Sequence, residues 1–236
     1  MGDHASRGGG LTDGAAAADL FPPREIEPEL IEAGRLLFAR DCRFVAGSAE
    51  ADALPPETLP EVAFLGRSNV GKSSLVNALT SRRMLARTSN TPGRTRQINF
   101  FALDSRLMLV DLPGYGYAAA AKSKVTAWTR LIRDYLHGRA ALGRVYVLID
   151  ARHGLKTADA AILDTLGKAA VSHEIVLTKS DQVGEADLGA RVEEMKAALR
   201  KRPAAFPEII ATSAHAGAGI PQLRAAIARL LAERYR

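Results

Sequence analysis

Residues Gly66-Arg67-Ser68-Asn69-Val70-Gly71-Lys72-Ser73 follow the spacing G-x-x-x-x-G-K-[ST], and their chemistry is that of a cradle for linked phosphates. Glycines let the backbone curl until successive N–H groups face one anion, and a helix beginning there adds partial positive charge. Lys72 is long enough to reach the outer phosphates, and the Ser73 hydroxyl is a hard oxygen donor suited to Mg2+. A glycine turn ahead of a helix would satisfy the same spacing without chemistry. The apolar run Val62-Ala63-Phe64-Leu65 before it and the helical pattern through Leu75, Val76 and Leu79 after it favour the phosphate loop.

Further segments would narrow the ligand. Asp111-Leu112-Pro113-Gly114 ends an apolar run, which puts a carboxylate at a strand tip to hold Mg2+ through its water shell and leaves the Gly114 N–H for a terminal phosphate. A plain strand-to-turn cap is the alternative. Thr178-Lys179-Ser180-Asp181 follows the run Ile175-Val176-Leu177. There the Asp181 carboxylate could accept the N1–H and exocyclic N–H of guanine, a pair that adenine does not offer, with the Lys179 stem over the base. Thr212-Ser213-Ala214 follows Ile209-Ile210-Ala211, so its backbone N–H groups could meet guanine O6. Thr91-Pro92-Gly93-Arg94-Thr95 has no periodic pattern, which suits either a simple Pro-Gly turn or a loop whose threonine joins Mg2+ when a γ-phosphate is present.

These segments act together only if a scaffold brings them to one place. Short apolar runs recur at Ile98-Asn99-Phe100-Phe101-Ala102-Leu103, Leu107-Met108-Leu109-Val110 and Val145-Tyr146-Val147-Leu148-Ile149, besides those above, and helical patterns over residues 125–136, 158–168, 188–200 and 221–234 separate most of them. The alternation predicts an α/β fold of the P-loop NTPase kind, a mostly parallel central sheet with helices on both faces. Phe100 to Val110 leaves no room for a crossover helix, so those two strands are expected as a hairpin at the rim, giving one antiparallel edge strand. A helix over residues 29–40 and a short strand, Arg43-Phe44-Val45-Ala46, come before the phosphate loop. Residues 1–24, rich in Gly, Ala and Asp, read as a disordered N-terminal arm, and residues 25–236 as a single domain.

The bulk numbers fit that plan. A chain of 236 residues with 47% hydrophobic content can bury one sizeable core. The single cysteine, Cys42, excludes an intramolecular disulfide or a cysteine-only metal site and reads as a small core residue in a reducing cytosol. No apolar run approaches the roughly 18 residues of a membrane span, and the first residues lack the order of a secretory signal, so a soluble, cytoplasmic protein is expected. The net charge of +6 leans mildly toward a polyanionic partner.

The longer strings GRSNVGKSSLVNALT, TPGRTRQINFF, DLPGYGYA, LIDARHGLK, TKSD and TSA resemble those of the EngB (YihA/YsxC) GTPases, within the TrmE-Era-EngA-EngB-Septin-like group. The resemblance implies a switch that hydrolyses GTP to GDP and phosphate, assists assembly of the large ribosomal subunit and is needed for normal division and septation. It implies nucleotide contacts from Gly66, Arg67, Ser68, Asn69, Val70, Gly71, Lys72 and Ser73, and from Gly93, Arg94, Thr95, Arg96 and Gln97. Asp111, Leu112, Pro113 and Gly114, then Thr178, Lys179, Ser180 and Asp181, and finally Thr212, Ser213 and Ala214 complete the implied set. Ser73 and Thr95 would hold Mg2+, and Lys72, Thr95 and Gly114 would act on the transferred phosphate. Thr178 stands where the wider pattern has Asn, and its hydroxyl offers fewer hydrogen bonds than an amide.

Hydrolysis needs an aligned water and neutralised charge. Ras-like proteins place a Gln just after D-x-x-G, whereas Tyr115 occupies that position here, so turnover should be slow until a partner, or K+ held near Asn69, completes the site. Asn69 as a turn residue is the alternative. Arg94 and Arg96 read as solvated charges or as contacts to phosphate or RNA; Arg82, Arg83, Arg87, Lys122 and Lys124 are candidates for a basic face toward large-subunit RNA. Trp128 reads as a packing anchor, and the chain as a monomer. A P-loop ATPase or kinase would need adenine recognition in place of Asp181, and a binding module without turnover would release no phosphate.

Overall fold

The computed structural model describes residues 26–50, 53–82, 85, 97–116 and 122–235, so the arm expected over residues 1–24 lies outside them. Its centre is a seven-stranded sheet. In chain order the strands are β1 (Cys42–Ser48), β2 (Glu61–Gly66), β3 (Ile98–Leu103), β4 (Leu107–Asp111), β5 (Leu142–Asp150), β6 (His173–Thr178) and β7 (Ala205–Ala211). They lie side by side in the order β1-β3-β4-β2-β5-β6-β7. The helices are α1 (Pro28–Phe38), α2 (Lys72–Thr80), α3 (Lys122–Gly138), α4 (Thr157–Lys168), α5 (Glu185–Leu199) and α6 (Ile220–Arg234).

Burial on both faces explains why β2, β4 and β6 are apolar runs rather than alternating ones. On one face Phe100, Val110, Val145, Val147 and Ile175 pack against Tyr135 of α3, Leu163 of α4 and Met195 of α5. On the other, Phe64, Leu109, Tyr146 and Val176 meet Leu75 and Leu79 of α2 and Leu223 and Ile227 of α6, with Phe38 of α1 alongside. Buried Cys42 belongs to this second cluster, as its size predicts, and burial pushes its thiol up to about 11.

The hairpin β3–β4 is present, and β3 is the strand that runs against the rest, but it lies one place in from the rim. Its outer side pairs antiparallel with β1, through a bulge between Phe44 and Ala46. The local pattern Arg43-Phe44-Val45-Ala46 predicts a shorter strand and no partner, because the pairing joins residues 50 or more apart and most of β1 is exposed, with Phe44 and Val45 open to solvent. The opposite edge, β7, carries Pro207, which an edge strand tolerates.

The decisive feature for a ligand is where the winding reverses. β2 has β4 on one side and β5 on the other, both parallel to it. Chain leaving the C-terminal ends of these strands therefore diverges to opposite sides and leaves a crevice above β2.

Candidate functional site

Register fixes which residues share that crevice. Phe64 of β2 pairs with Asp111 at the end of β4, Gly66 pairs with Leu148 of β5, Asp150 at the end of β5 pairs with Thr178 at the end of β6, and Leu177 pairs with Ala211. Thus Gly66 to Ser73, Asp111 to Gly114, Thr178 to Asp181 and Thr212 to Ala214 all emerge along one border of the sheet.

Residues 67–71 turn from β2 into α2 with Asn69 at φ 63° and Gly71 at φ 99°, both in the left-handed region. A side chain at Gly71 would be strained there, which is why the motif requires glycine. Val70 is buried as an apolar plug, and α2 opens at Lys72 without a side-chain cap, so its first N–H groups face the loop. Lys72 Nζ makes an ion pair with Asp111 Oδ1, both side chains being nearly buried. This pair joins the first turn of α2 to the tip of β4, beside Ser73.

The segment after Asp111 is stitched to the same loop. Leu112 is fully buried and its N–H bonds the Phe64 carbonyl at 3.0 Å. Tyr115 N–H donates to Gly66 O, and Ser68 N–H donates to Tyr115 O, each at 3.2 Å. Gly114 lies so close that a Cβ there would stand 3.2 Å from both Gly66 O and Ser68 N. The Tyr115 ring points inward, its hydroxyl donating to Asp159 Oδ1 at 2.8 Å. Burial, then the charge and hydrogen bond of Asp159, raise the phenol well above its ordinary pKa.

The third segment is tied to the first. Thr178, expected to offer its hydroxyl to a base, instead donates it to Val70 O at 2.7 Å and is buried. Lys179, at φ 57°, reaches over Gly71 and donates from Nζ to Asn69 O at 2.8 Å. The same Nζ lies 2.9 Å from Asp150 Oδ2. Asp150 also accepts the Arg152 guanidinium in two bonds, at 2.9 and 2.7 Å. Burial works against its ionisation, but the bonds from Arg152 and Lys179 outweigh that and hold its carboxyl far below the usual range. Asp181 is exposed on a short 3-10 turn, Ser180–Gln182, close enough to Arg152 to interact with its charge.

In the fourth segment, the backbone groups expected to meet a base are partly spent within the fold. Thr212 N–H bonds Leu177 O and Ser213 N–H bonds Ala218 O, because Thr212 still continues the β6–β7 ladder and Ser213 closes a turn into α6. Ala214 N–H is the one of the three with no bond among the described residues. Ser180 N–H to Thr212 O, at 3.1 Å, joins the two loops.

Gly93, Arg94, Thr95 and Arg96, with Thr91, Pro92, Arg83 and Arg87, lie outside the described residues, as do the side chains of Lys122, Lys124 and Trp128. Gln97 is exposed just before β3, its amide donating to Asn99 Oδ1. Arg82 pairs with Asp41 at 2.6 Å. The motifs alone missed Asp150 and Asp159. Asp150 carried a usable signal, a carboxylate closing an apolar run just as Asp111 does; Asp159, inside a helical stretch, carried none.

Comparison with known proteins shows the family to which the chain belongs. A family described as 50S ribosome-binding GTPase matches residues 61–179. A probable GTP-binding protein EngB of Rhodopseudomonas palustris is 61% identical over 211 residues, 89% of this chain and 98% of that protein. The chain belongs to the EngB family of GTP-binding proteins. Another EngB relative, from Bradyrhizobium diazoefficiens, is 59% identical over 88% of this chain and 97% of its own length. Among solved structures, a probable GTP-binding protein engB aligns with TM-score 0.61 at 22% identity, over 74% of this chain and all of that one. Era in complex with MgGDPNP and a 16S ribosomal RNA segment aligns with TM-score 0.58 at 24% identity, over 73% of this chain and 57% of Era. At such identities the two structures speak for the EngB-like fold alone.

Proposed function

We propose that this chain is a guanine-nucleotide switch that hydrolyses GTP to GDP and phosphate, working as a cytoplasmic monomer whose residues 25–236 form one G domain. The same reading makes it an assembly factor for the large ribosomal subunit, with septation depending on it through that role. The observation that carries the nucleotide reading is the pair of bonds from Thr178 to Val70 O and from Lys179 to Asn69 O. They hold the base-reading tip and the phosphate loop in one fixed relation, as a single bridging nucleotide requires.

In this reading residues 66–73 wrap the phosphates, Asp181 accepts two donors of guanine, Ala214 N–H meets O6, and the Lys179 stem lies against the base. The donors at the head of α2 fit magnesium, since Ser73 offers a hard oxygen next to the buried Asp111 carboxylate. Ser73 and Thr95 would hold Mg2+, which when bound neutralises charge on the outer phosphates, with Asp111 acting through its water shell. Lys72 moves from Asp111 to a phosphate oxygen, and Gly114 N–H faces the γ-phosphate. In hydrolysis a water oxygen bonds to the γ-phosphorus while the bond to the β–γ bridging oxygen breaks. Of the water's two protons, one stays on the new phosphate oxygen and the other passes to another product oxygen or to solvent.

The buried Tyr115 hydroxyl gives its one proton to Asp159, so it has no donor to offer that water, unlike a Gln amide. Slow turnover alone, raised by large ribosomal subunits or by K+ near Asn69, follows from this. Competition of GTP and ATP for the site, with phosphate release followed in KCl and NaCl and with large subunits present, tests the proposal. Preference for GTP and stimulated multiple turnover support it. ATP binding as well as GTP, or rapid partner-free hydrolysis in both salts, contradicts it.

A further inference from the structure

Tyr115 is held at three separate points. Its N–H and C=O bond the phosphate loop, at Gly66 O and Ser68 N, and its hydroxyl bonds Asp159. Asp159 is in turn buried at the third position of α4, where its other oxygen accepts the Lys156 N–H at 2.8 Å and caps the helix. Neither oxygen of this carboxylate is idle, and the ring between the two elements is buried. The chain therefore leaves Asp111 and Gly114 along a fixed path until Gly116, whose φ of 83° is the first left-handed residue after β4.

We infer that Tyr115 and Asp159 are a positioning pair that presets Gly114 against the phosphate loop, so that the site discriminates a nucleoside triphosphate from a diphosphate and links that discrimination to α4. The inference rests on the reading of Gly114 as the γ-phosphate contact. Gly114 sits directly before the clamped residue and so close to the Gly66–Ser68 backbone that even an added Cβ would crowd it, so the fixed Tyr115 restricts where its N–H can point. An N–H already ordered does not lose conformational freedom when the third phosphate arrives, whereas a loose one does. A diphosphate does not reach Gly114 and is indifferent to the clamp.

The test is the ratio of affinities for a non-hydrolysable GTP analogue and for GDP, measured by titration on wild type, Tyr115→Phe, Asp159→Asn and the double variant. Tyr115→Phe should weaken the analogue about fivefold, the worth of one ordinary hydrogen bond, with GDP affinity changed less than about twofold. Asp159→Asn should move the ratio the same way, and the double variant should be no worse than Tyr115→Phe alone, since both remove one link. Urea unfolding of each variant separates this from loss of fold: a purely structural bond would lower the midpoint and leave the ratio untouched. An unchanged ratio, a ratio shifted toward the triphosphate, or additive effects overturn the inference. Wild type that binds neither nucleotide would instead overturn the nucleotide reading, and the clamp with it.

Discussion

A carboxylate gripped by two cations holds each of them in one place, and Asp150 does so for Arg152 and Lys179. Lys179 would otherwise have a second acidic partner nearby in Asp181, two residues on, and pairing there would mask the group proposed to read the base. Replacing Asp150 with Asn keeps the shape but removes the charge. Nucleotide affinity should fall by about tenfold, for GDP and for inosine diphosphate alike, as read by fluorescence titration. An effect on one base alone would mean that Asp150 reads the base itself. A different residue, Glu174, adds a pH response of its own. Burial raises the Glu174 carboxyl to about 7, despite its 2.6 Å bond from Arg144, so the folded state holds this proton more tightly than the unfolded chain does. Stability from this group is present below its unfolded value of 4.5 and is lost as pH rises toward 7. Wild type compared with Glu174→Gln in urea should show its relative midpoint falling as pH rises from 4.5 to about 7. A constant difference would contradict the assignment.

Elements are fixed by a few contacts between distant parts of the chain. α1 crosses α6 where Gly34 faces the Ala225 backbone; a Cβ there would stand 2.6 Å from Ala225 N and 2.6 Å from the Arg224 carbonyl carbon. Gly34→Val should cost roughly 1–3 kcal/mol of overpacking, seen as a lowered melting temperature, with little change in nucleotide affinity because α1 stands away from the border that carries the site. At the other end of the sheet, buried Glu61 is held by Arg139 and by the Tyr135 hydroxyl at 2.9 Å, which locks the end of α3 to the start of β2. Arg139→Ala should destabilise by about 3–5 kcal/mol, since it leaves the carboxylate buried with its charge unpaired. Each strand around the crevice could be read from its apolar run, and Ile98–Leu103 matches residue for residue. The place of β1 could not, because an exposed strand lacks a burial pattern and its partner is set by pairing across the fold.

On the scale of the whole molecule, the motifs that meet at one border of the sheet were legible because each sets special residue types at a strand end. The bonds that bind those segments together were not. Thr178 to Val70 spans 108 positions and Tyr115 to Asp159 spans 44, distances at which local spacing carries no information. Thr178 illustrates the cost: its residue type suggested a weaker base contact, while its position makes it a strut between loops. No helix among the described residues is long and apolar enough to cross a membrane, and the chain carries a net charge of +6. If that charge meets ribosomal RNA, co-sedimentation with large subunits should fall steeply as salt is raised, and a flat response would exclude a phosphate-led contact. Selection of guanine is proposed to rest on Asp181. Binding of GDP and xanthosine diphosphate to wild type and Asp181→Asn is its most direct test: wild type should prefer GDP, and the variant should lose that preference in favour of the xanthine nucleotide. An unchanged preference for GDP in the variant would contradict it.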